Sequence, residues 1–118
     1  SGEKILEMQK LTKQVYVDPA IEKYIVRLIH ATREPKKYKT KNGKYIECGA
    51  SPRASIGIFI ASKADALLKG DSFVTPQHVK NIAADVLRHR IILNYEGQAE
   101  GVTTDDIIKE LLSKVPVP

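Results

Sequence analysis

Three dipeptides, Asp18-Pro19, Ser51-Pro52 and Thr75-Pro76, divide this chain before any other feature is considered. Each sets a side-chain oxygen suited to capping a helix directly before a proline. Proline fits the first helical position because its missing N–H has no intrahelical partner there anyway. A fourth start stands at Thr103, where Asp106 three residues on makes a variant of the capping box. Val74 with Val79, and Val102 with Ile107, are spaced as hydrophobic staples around the last two starts.

The residues behind each start carry helical periodicity. Ile21, Tyr24, Ile25, Leu28 and Ile29 fall on one face of a helix expected to run to about Thr32, before Pro35 disfavours helical geometry. The helix opened by Ser51-Pro52 is expected to reach about Lys69 and to stop at Gly70. Its buried stripe reads as Ile56, Ile60, Ala64, Leu67 and Leu68 with Phe59 beside it. Val79, Ile82, Ala83, Val86 and Leu87 mark the next helix, and Ile107, Ile108, Leu111 and Leu112 the last. Upstream, Ile5, Leu6, Met8 and Leu11 suggest a short amphipathic helix over about Glu3–Lys13, broken by Gln14-Val15-Tyr16-Val17. Between Lys36 and Cys48 the strongest local signal is Asn42-Gly43, the preferred turn of a two-residue β-hairpin. The expected fold is mainly α: one domain over residues 1–118, a small bundle of four or five helices, with a short β-hairpin around Asn42-Gly43.

Composition removes several function classes. With 118 residues there is room for one core. No apolar run approaches the roughly 18 residues that span a bilayer, and no charged-then-apolar leader precedes the first helix. A cytoplasmic location is expected, with Ser1-Gly2 as a cloning remnant on a piece of a longer protein. Cys48 is the single cysteine, which excludes an internal disulfide and a multi-cysteine metal site. His30, His78 and His89 are too far apart to share an ion, so no metal site is expected. Neither Gly-x-x-x-x-Gly-Lys-[Ser/Thr] nor Gly-x-Gly-x-x-Gly occurs. Taken alone, the chain is expected to catalyse nothing.

The net charge of +5 is a local feature. Arg33, Lys36, Lys37, Lys39, Lys41 and Lys44 stand against Glu34 alone in one short stretch. A solvated loop accounts for it more readily than a nucleic-acid surface, since only Tyr38 and Tyr45 stand there to stack on bases. Arg88-His89-Arg90 ends a helix, where the dipole favours cations.

The stretch Gly49-Ala50-Ser51-Pro52-Arg53-Ala54-Ser55 is different. Ser51 reads as the cap, Pro52 as the first helical residue, and Arg53 as a cation in the first turn. A positive side chain opposes the dipole there, whereas an anion is welcome. Arg53 is thus a candidate phosphate reader, and an ordinary surface arginine beside a good cap fits equally well at this level.

Gly49-Ala50-Ser51-Pro52-Arg53, Val86-Leu87-Arg88-His89-Arg90-Ile91 and the closing Val115-Pro116-Val117-Pro118 together resemble the small C-terminal lid of the MoxR group of AAA+ ATPases. Val17-Asp18-Pro19 and Tyr24–Leu28 before the arginine, and Val74-Thr75-Pro76 after it, fit the same order. The resemblance covers almost the whole chain, and the basic stretch 36–48 departs from it as a longer, more basic insertion. It implies that Arg53 is the sensor 2 arginine, contacting the γ-phosphate of ATP, with Ser51 and Pro52 beside it at the nucleotide. It implies ATP and Mg2+ as cofactors of the full protein, none of them held by this piece alone. The Walker motifs would lie in an AAA+ core domain of the same chain. Further implications are a homo-oligomeric ring, partner proteins bearing a von Willebrand A domain, and chaperone-like remodelling, without membrane or nucleic acid. The alternative reading is a small basic helical module that binds nucleic acid or docks a protein.

Overall fold

The computed structural model describes residues 2–118, the side chain of Met8 excepted; the expectations for Ser1 and for the Met8 side chain lie outside the described residues. Among the described residues six α-helices follow in order: α1 (Gly2–Gln14), α2 (Pro19–Arg33), α3 (Ala54–Leu68), α4 (Pro76–Leu87), α5 (Tyr95–Ala99) and α6 (Thr104–Lys114). Two short strands, β1 (Ile46–Cys48) and β2 (Ile92–Leu93), complete the fold. The class is mainly α, as expected. The one-turn α5 lies between β2 and α6 and carries no start signal among those read from the sequence.

The caps explain where the helices start. Asp18 accepts from the Ala20 N–H at 2.8 Å, and Thr103 and Asp106 complete a reciprocal capping box. Thr75 also forms such a box, with His78 rather than an acid as its partner. The imidazole Nδ1 of His78 accepts from the Thr75 N–H at 2.8 Å, and Nε2 lies 2.8 Å from an Asp71 carboxylate oxygen. Buried His78 therefore serves as a cap, and the neutral Nε2–H tautomer satisfies both contacts. At the far end of α3, Gly70 takes φ +75°. The Asp71 N–H then reaches the Ala66 carbonyl, and the Gly70 N–H that of Leu67, which closes the helix.

The core lies between α2, α3, α4 and α6, with Tyr24, Ile25, Leu28, Ile58, Val79, Leu87, Ile107, Ile108 and Leu111 buried in it. The stripe expected on α3 is not the buried one. Ala54, Ile58, Ser62 and Ala66 face inward, while Ile56, Ile60 and Leu68 are 59%, 56% and 74% exposed. This helix is apolar on most sides, so periodicity does not choose between faces. The row at every fourth position, small except for Ile58, is the one turned inward, where α3 makes its most extensive packing, against α4. Similarly, Ile5, Leu6 and Leu11 of α1 are exposed although α1 packs along α3. A parallel bridge between Tyr16 and Phe73 ties the segment after α1 to the α3–α4 connection.

The expected hairpin around Asn42-Gly43 does not form; the small antiparallel sheet is built otherwise. β1 pairs with β2, Ile46 opposite Leu93 and Cys48 opposite Ile92. The run before β1 folds into two 3-10 turns, Pro35–Tyr38 and Gly43–Tyr45. Asn42 sits at φ −94°, ψ 0°, and Lys39, not Gly43, takes the left-handed conformation at φ 54°. Gly43 serves for its size: a Cβ there would collide with the Pro35 ring and Thr40 Oγ1. The Glu110 carboxylate of α6 clamps the segment, accepting from the Lys41 and Asn42 N–H groups at 3.0 and 2.8 Å. That long-range acceptor overrides the local turn preference.

Two stability predictions follow from this geometry. Gly49 passes so close to the end of α2 that a Cβ would meet the Thr32 carbonyl oxygen at 2.3 Å. That neighbour is helical backbone and has little room to yield, so Gly49→Ala should cost about 1–3 kcal/mol in urea unfolding, with the m-value unchanged. The Asp106 carboxyl is held below the usual carboxylate range, chiefly by the Thr103 N–H. Because the folded value is depressed, its contribution is present above about pH 4 and disappears as pH falls through the folded value. Asp106→Asn, which keeps the acceptor without titrating, should flatten the acid limb of a Tm-against-pH curve.

Candidate functional site

The turn that carries Arg53 is fixed by the end of α2. Thr32 is fully buried; its hydroxyl donates to the Ile29 carbonyl at 2.6 Å and accepts from the Ala50 N–H at 3.0 Å. An Arg33 guanidinium N–H reaches the Ala50 carbonyl at 3.5 Å. Both polar groups of the Ala50 backbone are thereby held by one helix turn. With Gly49 pressed on the Thr32 backbone, residues 49–50 are held against α2.

Beyond Ala50 the chain tightens into consecutive i→i+3 bonds. Ala54, Ser55 and Ile56 donate to the carbonyls of Ser51, Pro52 and Arg53 at 2.9, 3.1 and 3.1 Å. The α-helix proper starts at Ala54, two residues later than the cap reading of Ser51 placed it, and the Ser51 side chain makes no capping bond. The reason is that the Ser51 carbonyl, not its hydroxyl, receives the first N–H. Pro52 therefore stands in the turn rather than at the first helical position. Arg53 occupies the N-cap position at φ −64°, ψ −23°. Ser51, Pro52 and Arg53 are all exposed, and the Arg53 guanidinium has no hydrogen-bond or carboxylate partner among the described residues.

Much of the surface beside Arg53 is apolar, with Glu22 at its edge. Ile56 and Ile60 follow it on α3 at i+3 and i+7, hence on one helix face, and both are exposed. Glu22, Ile25 and Val26 of α2 line a shallow groove with Ser55, Ile56 and Phe59. Val26 is 58% exposed. An uncompensated cation thus stands at the head of an uncovered apolar strip.

The other basic motif is used internally. Arg88 bridges Asp105 at the start of α6 (2.9 Å) and Asp85 (3.0 Å), and these two carboxylates, Asp105 first, raise its pKa. It joins α4 to α6 instead of ending α4 by dipole complementarity alone. Thr32 and His78 are residues that sequence reasoning missed. A threonine in the last turn of a helix, free to bond backward or across, is the available signal for the first. None of the described helices is long and apolar enough to cross a membrane.

The chain belongs to the AAA lid domain family, whose profile matches residues 38–111. Within it, the resemblance to the lid of MoxR-type AAA+ ATPases stands. The chain is 36% identical over 115 residues to a protein named chaperone MoxR1 from Mycobacterium tuberculosis, covering 97% of this chain and 30% of that protein. It is 31% identical over 110 residues to the protein MoxR of Paracoccus denitrificans, covering 87% of this chain and 32% of that one. The crystal structure of a candidate ATPase from Cytophaga hutchinsonii superposes with a TM-score of 0.94 at 40% identity, over 98% of this chain and 36% of that one. The chain thus spans about a third of the length of these relatives.

If Thr32 fixes the arginine turn, Thr32→Val should destabilise despite its near-equal volume. It leaves the buried Ala50 N–H unpaired, at a cost of about 1–3 kcal/mol. Amide hydrogen exchange should show the protection of Ala50 lost before that of α2.

Proposed function

We propose that this lid reads the state of a nucleotide held by a separate core domain and converts it into lid movement. Arg53 would act as sensor 2 on the γ-phosphate. The observation that carries this reading is the Arg53 guanidinium itself: exposed, without an internal partner, and mounted on a turn whose backbone is held by buried contacts. Exposed Ile56, Ile60 and Val26 beside it suit a surface covered by that core domain. Ser51 and Pro52, exposed in the same turn, stand next to the nucleotide in this reading.

ATP with Mg2+ would supply the transferable phosphoryl group, and this chain's part is to bind and orient. Neither a Walker loop nor an apolar strand ending in paired acids occurs here, so the residues holding Mg2+ belong to the core domain. A charge-assisted bond from guanidinium to phosphate contributes about 1.5–3 kcal/mol, and about 1.4 kcal/mol is a factor of ten in an equilibrium. One such contact therefore biases the lid by roughly 10- to 150-fold between a nucleotide that offers the γ-phosphate and one that does not. The same cation stabilises charge that develops on the phosphoryl oxygens.

The full protein is read as a cytoplasmic, ring-forming ATPase. The relative named as a chaperone supports a remodelling task, and von Willebrand A domain proteins are the proposed partners. In the full-length protein, Arg53→Ala should lower ATP turnover about 10- to 100-fold and leave Tm within about 2 °C, because the side chain holds nothing in the fold. Arg53→Lys should recover only part of the loss, since it keeps the charge without the fork. Undiminished turnover in Arg53→Ala would refute the assignment.

A further inference from the structure

Nine residues, Lys36–Lys44, carry five lysines, and all five are exposed. Little in the fold uses those charges. Lys37 pairs with Glu34 at 2.8 Å, and Lys44 lies 5.1 Å from the Tyr45 ring centre. The ammonium groups of Lys36, Lys39 and Lys41 have no partner among the described residues. Glu110 of α6 bonds the backbone N–H groups of Lys41 and Asn42, and its single negative charge offsets only part of the five cations. Like charges this close lie within a Debye length, about 10 Å, and repel one another.

The backbone beneath them is fixed independently of those charges. Thr40 Oγ1 donates to the Pro35 carbonyl at 3.2 Å, Gly43 is wedged between Pro35 and Thr40, and Glu110 clamps residues 41–42. Asn94 fastens the far end, its side chain donating to the Lys44 carbonyl at 2.8 Å and its N–H to the Tyr45 carbonyl at 2.7 Å. Neutral residues at the lysine positions would leave every one of these contacts intact. The segment is therefore a pre-ordered platform with excess positive charge, and pre-ordering lowers the entropic cost of binding.

We propose that the Lys36–Lys44 segment is a docking surface for an acidic polypeptide segment of a partner protein. The aromatic side chains argue against a nucleic acid. Tyr38 is half-buried with its ring edge on His30 and its hydroxyl 3.2 Å from His30 Nδ1. Tyr45 is half-buried, with Gly97 against its Cβ and the Lys44 ammonium over its ring. Neither offers an open face for a base to stack on. The surface is independent of Arg53 and of whatever nucleotide that residue reads.

The test is fluorescence anisotropy on the full-length protein with two labelled probes of equal formal charge, a dodecaglutamate peptide and a phosphate-capped oligo-dT. The peptide should bind at low salt and weaken steeply as salt rises. Lys36→Gln/Lys39→Asn/Lys41→Gln should raise its Kd at least about tenfold while the thermal melt is unchanged, asparagine being chosen because it tolerates the φ of residue 39. Lys10→Gln/Lys23→Gln/Lys109→Gln removes as much charge elsewhere and should leave Kd within about threefold. The proposal falls if wild-type protein does not bind the peptide, if both variants lose binding alike, if the loop variant loses none, or if the oligonucleotide binds more tightly than the peptide.

Discussion

A single hydroxyl decides where the candidate site stands. Thr32, fully buried at the end of α2, takes the N–H of Ala50 and hands its own proton to Ile29. Around that exchange Gly49 comes into backbone contact with the helix, and the chain leaves Ala50 in the direction that presents Arg53 outward. Without it a buried N–H would be stranded, and the arginine turn would be joined to the bundle chiefly through α3. The energy of one neutral hydrogen bond is small, but the alternative of burying it unmade is not.

Much of the architecture could be read from the chain because its helix boundaries are written in local chemistry. Asp18, Thr75 and Thr103 cap helices as their side chains and neighbours suggest, and Gly70 ends α3 with the positive φ expected of it. Arg53 could be singled out because a cation at a helix start conflicts with the local electrostatics. The resemblance, carried by residues far apart in sequence, implies a core domain whose nucleotide that charge would meet.

What was not legible depended on long-range partners. Asn42-Gly43 is a strong local turn signal, and it loses to a carboxylate 68 residues away that binds two N–H groups of the same segment. β1 finds its partner strand beyond α4, where no adjacent pattern announces it. α3 is apolar on most sides, so its inner face is set by where α4 packs and not by its own periodicity. Ser51 looks like a cap by composition, yet its carbonyl takes that part because Ala50 is already held on α2. Each error has the same origin: a nearby preference worth a fraction of a kcal/mol was overruled by tertiary packing.

α3 links two places that are otherwise unrelated. Its 15 residues form a rod of roughly 22 Å, with the arginine turn at one end. Just past the other end, Ser72 and Val74 bond to the backbone of Tyr16, where α1 joins the bundle. The helix is therefore a lever with two attachment points. A tilt of about 5° about the Arg53 end carries the opposite end by roughly 2 Å, comparable to the rise of one helical residue. A movement of the arginine turn that tilts α3 as a rigid body would also shift the joint at Tyr16, to an extent set by the stiffness of this one helix.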